Sequence, residues 1–306
     1  MKHNIRSRSH RTSLPYAARL ALFGMAALAA VYPAGLLTLT GAYMYGLLHP
    51  ACPPASPEPP LPEARAIRLT GADGVTLPGW YLPPRNGAAV MLLGGLGANQ
   101  DAMLPELRLL AQHGFGAVTL ANRHCAGEIA TLGCREAAEF DAMLKFLLAQ
   151  PEVKQVGALG FSVGGVVVAA GAARHAEVAA VVMEGNFPNL YAEMTAVEAA
   201  PLGFQWQVQR LAVVCYRLAT GCRAKAVSPL DDLAALAGRP VLLVHGELEA
   251  QRTQPWAQLA AAGENANLWL VPGAGHGGYA TAAGEDYERR LVDFFSASLL
   301  GEVKEE

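Results

Sequence analysis

Residues 155–175 read QVGALGFSVGGVVVAAGAARH, and no other stretch says more about the fold. Its first part, Gln155–Leu159, is apolar and has the length of a buried strand. The chain then passes through Gly160-Phe161-Ser162-Val163-Gly164 into an apolar helical segment, Val163–His175. Glycine on both sides of a serine lets a strand turn sharply into a helix, with the hydroxyl exposed at the turn. With 32 glycines in 306 residues, chance alone gives roughly 0.1 such patterns per chain. We therefore predict Ser162 as a nucleophile.

Short apolar runs alternate with helical segments on both sides of this turn. The runs are Ile67–Thr70, Leu77–Leu82, Val90–Leu93, Ala117–Leu120, Gln155–Leu159, Ala179–Met183, Val241–Val244 and Asn267–Val271. Several are uniformly apolar, which is typical of strands that are covered on both faces. This alternation predicts an α/β fold, with a mostly parallel sheet of about eight strands flanked by helices. The first two runs surround Asp73-Gly74 and predict a hairpin at one edge of the sheet.

Residues 186–228 interrupt the alternation between the sixth and seventh strands. This insert contains helix-like stretches and many large apolar side chains. It predicts either a cap over a cleft or a layer whose apolar residues pack mainly among themselves. We expect a helical cap insert within a domain that spans residues 64–300.

A nucleophilic serine needs a general base, an acid that orients the base, and amide donors for the oxyanion. Among eight histidines, His276 lies in a glycine-rich loop after the last strand, so we predict that it is the base. His245 lies at a strand end, where we expect a structural hydrogen bond instead.

The orienting acid is expected just after the strand Val241–Val244. Glu249 is the first choice and Glu247 the second, since both follow this strand closely. Glu184, at the end of the preceding strand, is the third candidate.

Two backbone amides are predicted to bind the oxyanion. The amide of Val163 follows the nucleophile at a helix amino terminus. The amide of Leu96 lies in the loop Leu93-Gly94-Gly95-Leu96-Gly97, after the third strand. A phosphate-binding role is disfavoured for this loop, because it matches neither the G-x-G-x-x-G nor the G-K-[ST] pattern.

The net charge of −3 conceals an uneven distribution of charge. Five of the 23 basic residues fall within positions 1–19, and no acidic residue precedes Glu58. The rest of the chain therefore has 18 basic and 26 acidic residues, a net charge of −8. A body this negative is a poor match for a phosphate backbone, and nucleic acid is not expected as a partner.

Residues 20–48 contain no Asp, Glu, Lys, Arg or His. A helix needs about 20 apolar residues to cross the hydrocarbon core of a bilayer, so we predict a transmembrane anchor here. A cleaved signal peptide ending at Ala27-Leu28-Ala29 is the alternative. Signal peptides have an apolar region of about 7–15 residues, whereas this run continues well beyond that site.

The charges that flank the anchor predict its orientation. Lys and Arg cluster in the tail 1–19, and none follows the anchor until Arg65. The positive-inside tendency places the amino terminus in the cytoplasm and the catalytic domain outside it, in the periplasm or at the cell surface. Residues 49–63 are rich in proline, which predicts a stiff extended linker between membrane and domain.

The five cysteines lie at positions 52, 125, 134, 215 and 222. An extracytoplasmic location allows oxidation, and two local pairings are open, Cys125–Cys134 and Cys215–Cys222. Buried free thiols are an equal alternative. The odd count leaves one cysteine unpaired in any scheme, and no Cys/His metal spacing is present.

Around these residues the chain resembles the α/β-hydrolase-fold serine hydrolases. It is similar to the bacterial membrane-anchored members that are grouped with serine aminopeptidase-like and dienelactone-hydrolase-like proteins. The pieces that match are Thr70–Val75 leading to Gly79-Trp80-Tyr81, the turn around Ser162, Ser228-Pro229-Leu230, Pro240–Gly246 and Gly275-His276-Gly277. The order nucleophile, acid, base is also that of this fold.

Three departures from the family pattern stand out. Gly94 replaces the histidine that many members have before the oxyanion glycine. Residues 121–125 (ANRHC) replace an Asp-x-Arg-Gly-x pattern, so this loop is expected to be reshaped. Glu249 replaces the more common aspartate.

The resemblance implies a membrane-anchored hydrolase that cleaves an acyl ester or thioester through a Ser-His-acid triad, without a metal or an organic cofactor. A small-molecule or lipid-like acyl compound is the expected substrate, and amide cleavage by a peptidase stays open. The alternatives are an acyltransferase and a catalytically silent scaffold or binding protein on the same fold.

Overall fold

The computed structural model describes residues 15–196, 200–236 and 238–301. The strands within these ranges are β1 (Arg65–Thr70), β2 (Thr76–Leu82), β3 (Ala88–Leu93), β4 (Gly116–Leu120), β5 (Gln155–Phe161), β6 (Val178–Glu184), β7 (Val241–Gly246) and β8 (Ala266–Val271). The α-helices are α1 (Tyr16–Leu48), α2 (Leu104–Gln112), α3 (Ala137–Leu148), α4 (Val163–Arg174), α5 (Leu190–Met194), α6 (Phe204–Thr220), α7 (Pro229–Ala234), α8 (Ala250–Thr253), α9 (Pro255–Ala262), α10 (Tyr279–Ala283) and α11 (Glu285–Phe295).

The strands form one eight-stranded sheet in the order β1-β2-β4-β3-β5-β6-β7-β8. β2 pairs with β1 and β4 in antiparallel fashion, and the other neighbours are parallel. The predicted fold, including the hairpin at the edge, is therefore confirmed. Parallel strands end at a common edge, so the loops after β3, β5, β6, β7 and β8 meet there.

Helices cover both faces of the sheet. Alternate residues of β3 show this division, since Ala89, Met91 and Leu93 pack on one side and Ala88, Val90 and Leu92 on the other. The first side holds α3, α4, α7 and α9, and the second holds α2, α10 and α11. Burial on both faces explains why the strands are uniformly apolar.

Helix α1 has 33 residues and is apolar enough to cross a membrane. Its first part is exposed, but a stripe near its end is covered by the domain: Leu36 is half-buried, and Thr40, Met44 and Leu48 are buried. The four-residue spacing keeps these side chains on one face of the helix. Of the predicted basic tail, residues 1–14 lie outside the described residues.

The insert between β6 and β7 contains α5 and α6, and α6 packs along α1. A third apolar cluster joins this insert to the end of α1 and to the start of α4. The apolar side chains of the insert thus do not pack only among themselves. They cover the end of a helix from the other end of the chain.

The proline-rich segment is attached to the domain close to the end of α1. Cys52 is bonded to Cys125, and the side-chain amide of Asn99 donates to the carbonyl oxygens of Pro53 and Pro54, both at 3.2 Å. Extended proline-rich chain leaves its carbonyls free, and here side chains of the domain use them.

Neither of the two local disulfide pairings that the sequence left open is formed. The structure pairs Cys52 with Cys125 and Cys134 with Cys222, at Cα–Cα distances of 5.3 and 6.5 Å. Cys215 stays free. Cys215 lies within α6, whereas Cys222 follows Gly221, at which this helix ends.

Candidate active site

Ser162 occupies the sharp turn between β5 and α4. Its backbone has φ 54° and ψ −120°, a conformation that residues with a side chain rarely adopt. The turn needs glycine at both ends, because a Cβ on Gly160 or Gly164 would overlap neighbouring backbone. The Ser162 amide donates to the carbonyl of Glu184 at 2.7 Å, which ties the strained turn to β6.

His276 links Ser162 to Glu249. Its Nε2 lies 3.1 Å from the Ser162 Oγ, and its Nδ1 lies 2.7 Å from the Glu249 Oε2. The loop after β8 carries the histidine, and a short 3-10 turn after β7, Glu247–Glu249, carries the acid. The structure thus brings together the three side chains that the sequence singled out, across 114 residues of chain.

Hydrogen bonds hold the Glu249 carboxylate in place. Its Oε1 accepts from the Gly246 amide at 2.9 Å and from the Tyr279 hydroxyl. Burial raises the pKa of Glu249, but the hydrogen bonds from His276, Tyr279 and Gly246 outweigh it, so the pKa lies below its ordinary value. The carboxylate is therefore ionised at neutral pH and can orient the imidazole.

The two other candidate acids lie elsewhere. The Glu247 Oε2 accepts from the Gly273 amide at 3.0 Å. Glu184 is buried and accepts from the Tyr287 hydroxyl at 2.9 Å, and burial together with the nearby Glu106 raises its pKa to about 8. Neither contacts His276 among the described residues.

His245 does not make the structural hydrogen bond expected from the sequence. It is fully buried at the end of β7, and neither ring nitrogen has a partner among the described residues. Burial lowers its pKa to about 4, so the ring is neutral at physiological pH.

The loop after β3 approaches Ser162 closely. A Cβ placed on Gly95 would lie 3.2 Å from the Ser162 Cβ. The Asn122 side-chain amide donates to the Gly95 carbonyl at 2.7 Å and fixes this loop. The amides of Leu96 and Val163 make no hydrogen bond to other described residues, which leaves both available for a ligand oxygen.

Gly185, directly after β6, lies against the histidine and the acid. Its φ is 59°, and a Cβ there would lie 3.2 Å from the His276 Nδ1 and 3.3 Å from the Glu249 Oε1. Both the backbone conformation and the close approach require glycine. Gly185 was not predicted from the sequence, although its place after a parallel strand next to β5 was a signal.

A cavity of about 400 Å³ opens in front of Ser162 and His276. Its walls come from distant parts of the chain. The other residues that line it are Tyr43, Leu47, Leu96, Leu132, Phe161, Val163, Gly185, Phe187, Leu190, Glu193, Met194, Arg252 and Thr253. Most of these side chains are apolar, and one ion pair, Arg252–Glu193, adds charge at the wall.

Several residues of the site were not found from the sequence. Tyr279 follows the histidine loop by three residues, and Asn122 belongs to the loop that departs from the family pattern. Nothing in the sequence marked Tyr43 and Leu47 as residues of the site, because they lie in the segment that was interpreted as a membrane anchor.

One group of side chains among the described residues has the proximity of metal ligands, namely Cys52, His124 and Cys125. Its two sulfur atoms are joined in a disulfide and do not offer thiolates. This group lies outside the cavity at Ser162.

Solved structures with a similar fold are hydrolases of several kinds. An esterase from Pyrococcus furiosus is 20% identical, covers 81% of this chain and 98% of its own, and gives a TM-score of 0.65. A 2,6-dihydroxy-pseudo-oxynicotine hydrolase is 20% identical, with 78% and 68% covered and a TM-score of 0.59. An acylaminoacyl peptidase from Pyrococcus horikoshii is 15% identical, with 80% and 43% covered and a TM-score of 0.59. A comparison with curated proteins finds no match.

The profile of the prolyl oligopeptidase family matches residues 129–302, more than half of the chain. The matched region includes the turn at Ser162, the acid after β7 and the histidine loop. This protein therefore belongs to the prolyl oligopeptidase family and is a serine hydrolase with the α/β-hydrolase fold.

Proposed function

We propose that this protein is a membrane-anchored serine hydrolase that cleaves an acyl ester or thioester through an acyl-enzyme intermediate. The hydrogen-bonded series Ser162, His276 and Glu249, at the wall of an apolar cavity, carries the proposal. A catalytically silent scaffold has no need to hold an ionised carboxylate, an imidazole and a strained serine in this order.

In the first half of the proposed reaction, the Ser162 Oγ attacks the acyl carbonyl carbon while the His276 Nε2 accepts the hydroxyl proton. The amides of Leu96 and Val163 donate to the tetrahedral oxyanion. Collapse of this intermediate breaks the bond to the leaving group, which receives the proton from His276. Glu249 keeps the Nδ1 proton in place and stabilises the imidazolium.

In the second half, a water molecule attacks the acyl-serine and His276 takes its proton. The oxyanion forms again in the same site, and its collapse restores Ser162 and releases the carboxylic acid. An alcohol or amine in place of the water would give acyl transfer.

The chemistry of the cavity supports an acyl substrate. Side chains such as Phe187, Leu190 and Met194 are buried around it, and they favour a hydrocarbon chain over a polar peptide. A peptidase is the second candidate, because the family match favours it.

Labelling with a fluorophosphonate probe tests the nucleophile. Wild-type protein should be labelled, and Ser162→Ala should not, while both keep the same melting temperature. A folded wild-type protein that the probe does not modify would favour the scaffold. Initial rates on matched nitrophenyl esters, thioesters and aminoacyl anilides then separate esterase from peptidase. Faster anilide cleavage would overturn the ester and thioester assignment.

We also propose that α1 anchors the protein with the domain outside the cytoplasm. The basic residues before α1 and the two disulfides support this orientation, since disulfides persist in oxidising compartments. A carboxyl-terminal reporter that is active only outside the cytoplasm should give signal. An expressed fusion whose reporter stays inactive would contradict the orientation. The mass of the membrane-extracted protein tests the alternative of cleavage after Ala29.

A further inference from the structure

Helix α1 has two parts with different surroundings. Of its first 20 residues, positions 16–35, almost all that are described are exposed. Twenty helical residues span about 30 Å, which is the thickness of a bilayer core. A crossing by positions 16–35 would place residues 36–48 beyond the bilayer, and the buried side chains Thr40, Met44 and Leu48 join this part to the folded domain.

This second part of α1 is built into the catalytic region. Met44 and Leu48 are buried in the same apolar cluster as Val163, the residue after the nucleophile. The Leu48 carbonyl accepts from the Ala130 amide at 2.8 Å, which fixes the end of the helix. Tyr43 and Leu47, on the adjoining face, line the cavity that holds Ser162 and His276.

The cap helix α6 packs along α1, with its first turn beside Tyr32 and its later turns beside Met44 and Leu48. The ring centroids of Phe204, in its first turn, and Tyr32 lie 6.3 Å apart, and Tyr32 belongs to the exposed part of α1, positions 16–35. Leu202, before α6, is 75% exposed, and Phe204 is 45% exposed. Helix α6 has no acidic residue, and its Arg210 stacks over the Trp206 ring. Aromatic and basic side chains at this level are typical of the membrane interface.

We propose that the substrate is a long-chain acyl ester or thioester of an amphiphile that resides in the adjacent leaflet, and that Tyr43 and Leu47 form the wall against which its acyl chain lies. This inference rests on the proposed hydrolase function. The anchor helix thus serves as part of the binding site. The chain leaves the bilayer along α1 beside the first turn of α6 and reaches Ser162 without crossing bulk water, which an apolar chain avoids.

The first experiment uses the full chain in nanodiscs and compares Leu47→Trp with Leu39→Trp. Leu39 lies on the same helix, but it is exposed and does not line the cavity. We expect Leu47→Trp to lower the ratio of kcat/KM for a dodecanoate ester to that for a butyrate ester by at least tenfold. Leu39→Trp should leave the ratio within twofold of wild type. Equal ratios in both variants, with equal fluorophosphonate labelling, would overturn the inference.

The second experiment needs neither turnover nor a variant of α1. Ser162→Ala protein in nanodiscs is irradiated with a dodecanoate ester that carries a diazirine near the chain terminus, and the modified residues are mapped by mass spectrometry. Modification within residues 43–47 supports the wall, and modification confined to residues 16–35 overturns it. If the wild-type protein neither reacts with the fluorophosphonate probe nor cleaves esters, the proposed function fails. The diazirine mapping still decides where the acyl chain binds.

The third experiment tests delivery from the bilayer. The same dodecanoate amphiphile is placed either in the nanodiscs that hold the protein or in separate protein-free nanodiscs, at equal total concentration. We expect the initial rate to be at least tenfold higher when protein and substrate share a disc. Equal initial rates would overturn entry from the adjacent leaflet.

Discussion

The cavity at Ser162 has two sides that are built in different ways. One side is the carboxyl edge of the sheet, where Ser162, Glu249 and His276 follow three parallel strands. The other side combines the end of α1 with the insert, and its residues lie about 140–150 positions apart in the chain. The first side is held by backbone pairing and buried hydrogen bonds, whereas the second is held by apolar packing and disulfides.

In the proposed mechanism, the sheet edge carries out the chemistry and the apolar side selects the substrate. Changes at the sheet edge should lower kcat for every substrate, because they act on the reacting groups. Changes at the apolar wall should alter the preference for acyl chains and leave the reaction itself intact. The following variants test that division, in decreasing order of the change that we expect.

Glu249→Gln should have the largest effect. The amide has nearly the same shape, but it cannot stabilise the imidazolium and it favours the wrong tautomer, so we expect kcat to fall by about 10³–10⁴-fold. Glu247→Gln is the matched control, since its carboxylate contacts Gly273 and not His276. Steady-state rates on a butyrate ester measure both variants. A loss confined to Glu247→Gln would assign the acid to the other residue.

Gly185→Ala should lower kcat by roughly 10²-fold, because the added methyl group would overlap the Tyr279 hydroxyl and displace His276 and Glu249 from each other. Gly284→Ala is the control for backbone strain alone. Gly284 has a φ of 54°, close to the 59° of Gly185, but no atom lies within 4 Å of the position that a methyl group would take there. Thermal melting should show similar destabilisation of the two variants, and equal losses of kcat would contradict the proposed contact.

Removal of the Cys52–Cys125 disulfide should act on the apolar wall. In the double variant Cys52→Ser/Cys125→Ser, the end of α1 loses one of its attachments, and we expect the free energy of unfolding to fall by about 2–4 kcal/mol. KM for a dodecanoate ester should rise several-fold, with kcat for a butyrate ester within twofold of wild type. Cys215→Ser, at the unpaired cysteine, is the control. A fall in kcat for both esters would place this disulfide with the sheet edge.

Glu184→Gln should change the pH dependence of stability and little else. Because the Glu184 pKa is raised from 4.5 to about 8, the folded state holds a proton that the unfolded chain releases. The wild-type free energy of unfolding should therefore fall as the pH rises between these two values. The amide keeps an acceptor for Tyr287, so the variant should gain stability relative to wild type between pH 5 and pH 8, by a few kcal/mol at most.

Denaturant titrations at pH 5 and pH 8 measure this difference. Glu264→Gln, at an exposed carboxyl, is the control and should follow the wild-type curve. If the free energy of unfolding of Glu184→Gln differs from that of the wild type by the same amount at pH 5 and at pH 8, the assigned effect of burial on the Glu184 pKa is contradicted.

Local patterns carried much of the information about the sheet edge. Uniform apolar runs identified the eight strands, and glycine around Ser162 identified the turn, because a strand of this kind and a turn this sharp each restrict composition. The position of Glu249 also followed from its place after β7. Tyr279 and Asn122 could not be assigned, since their roles depend on which loops lie next to each other.

Residue order alone was enough to predict the α/β architecture, the nucleophile turn and the order of the three candidate catalytic residues, because each depends on periodicity or on neighbouring residues. The disulfide partners, the docking of the proline-rich segment and the entry of Tyr43 and Leu47 into the cavity became visible only in the folded chain. Those features join residues far apart in the chain, and apolar side chains carry no local mark of the partner against which they pack.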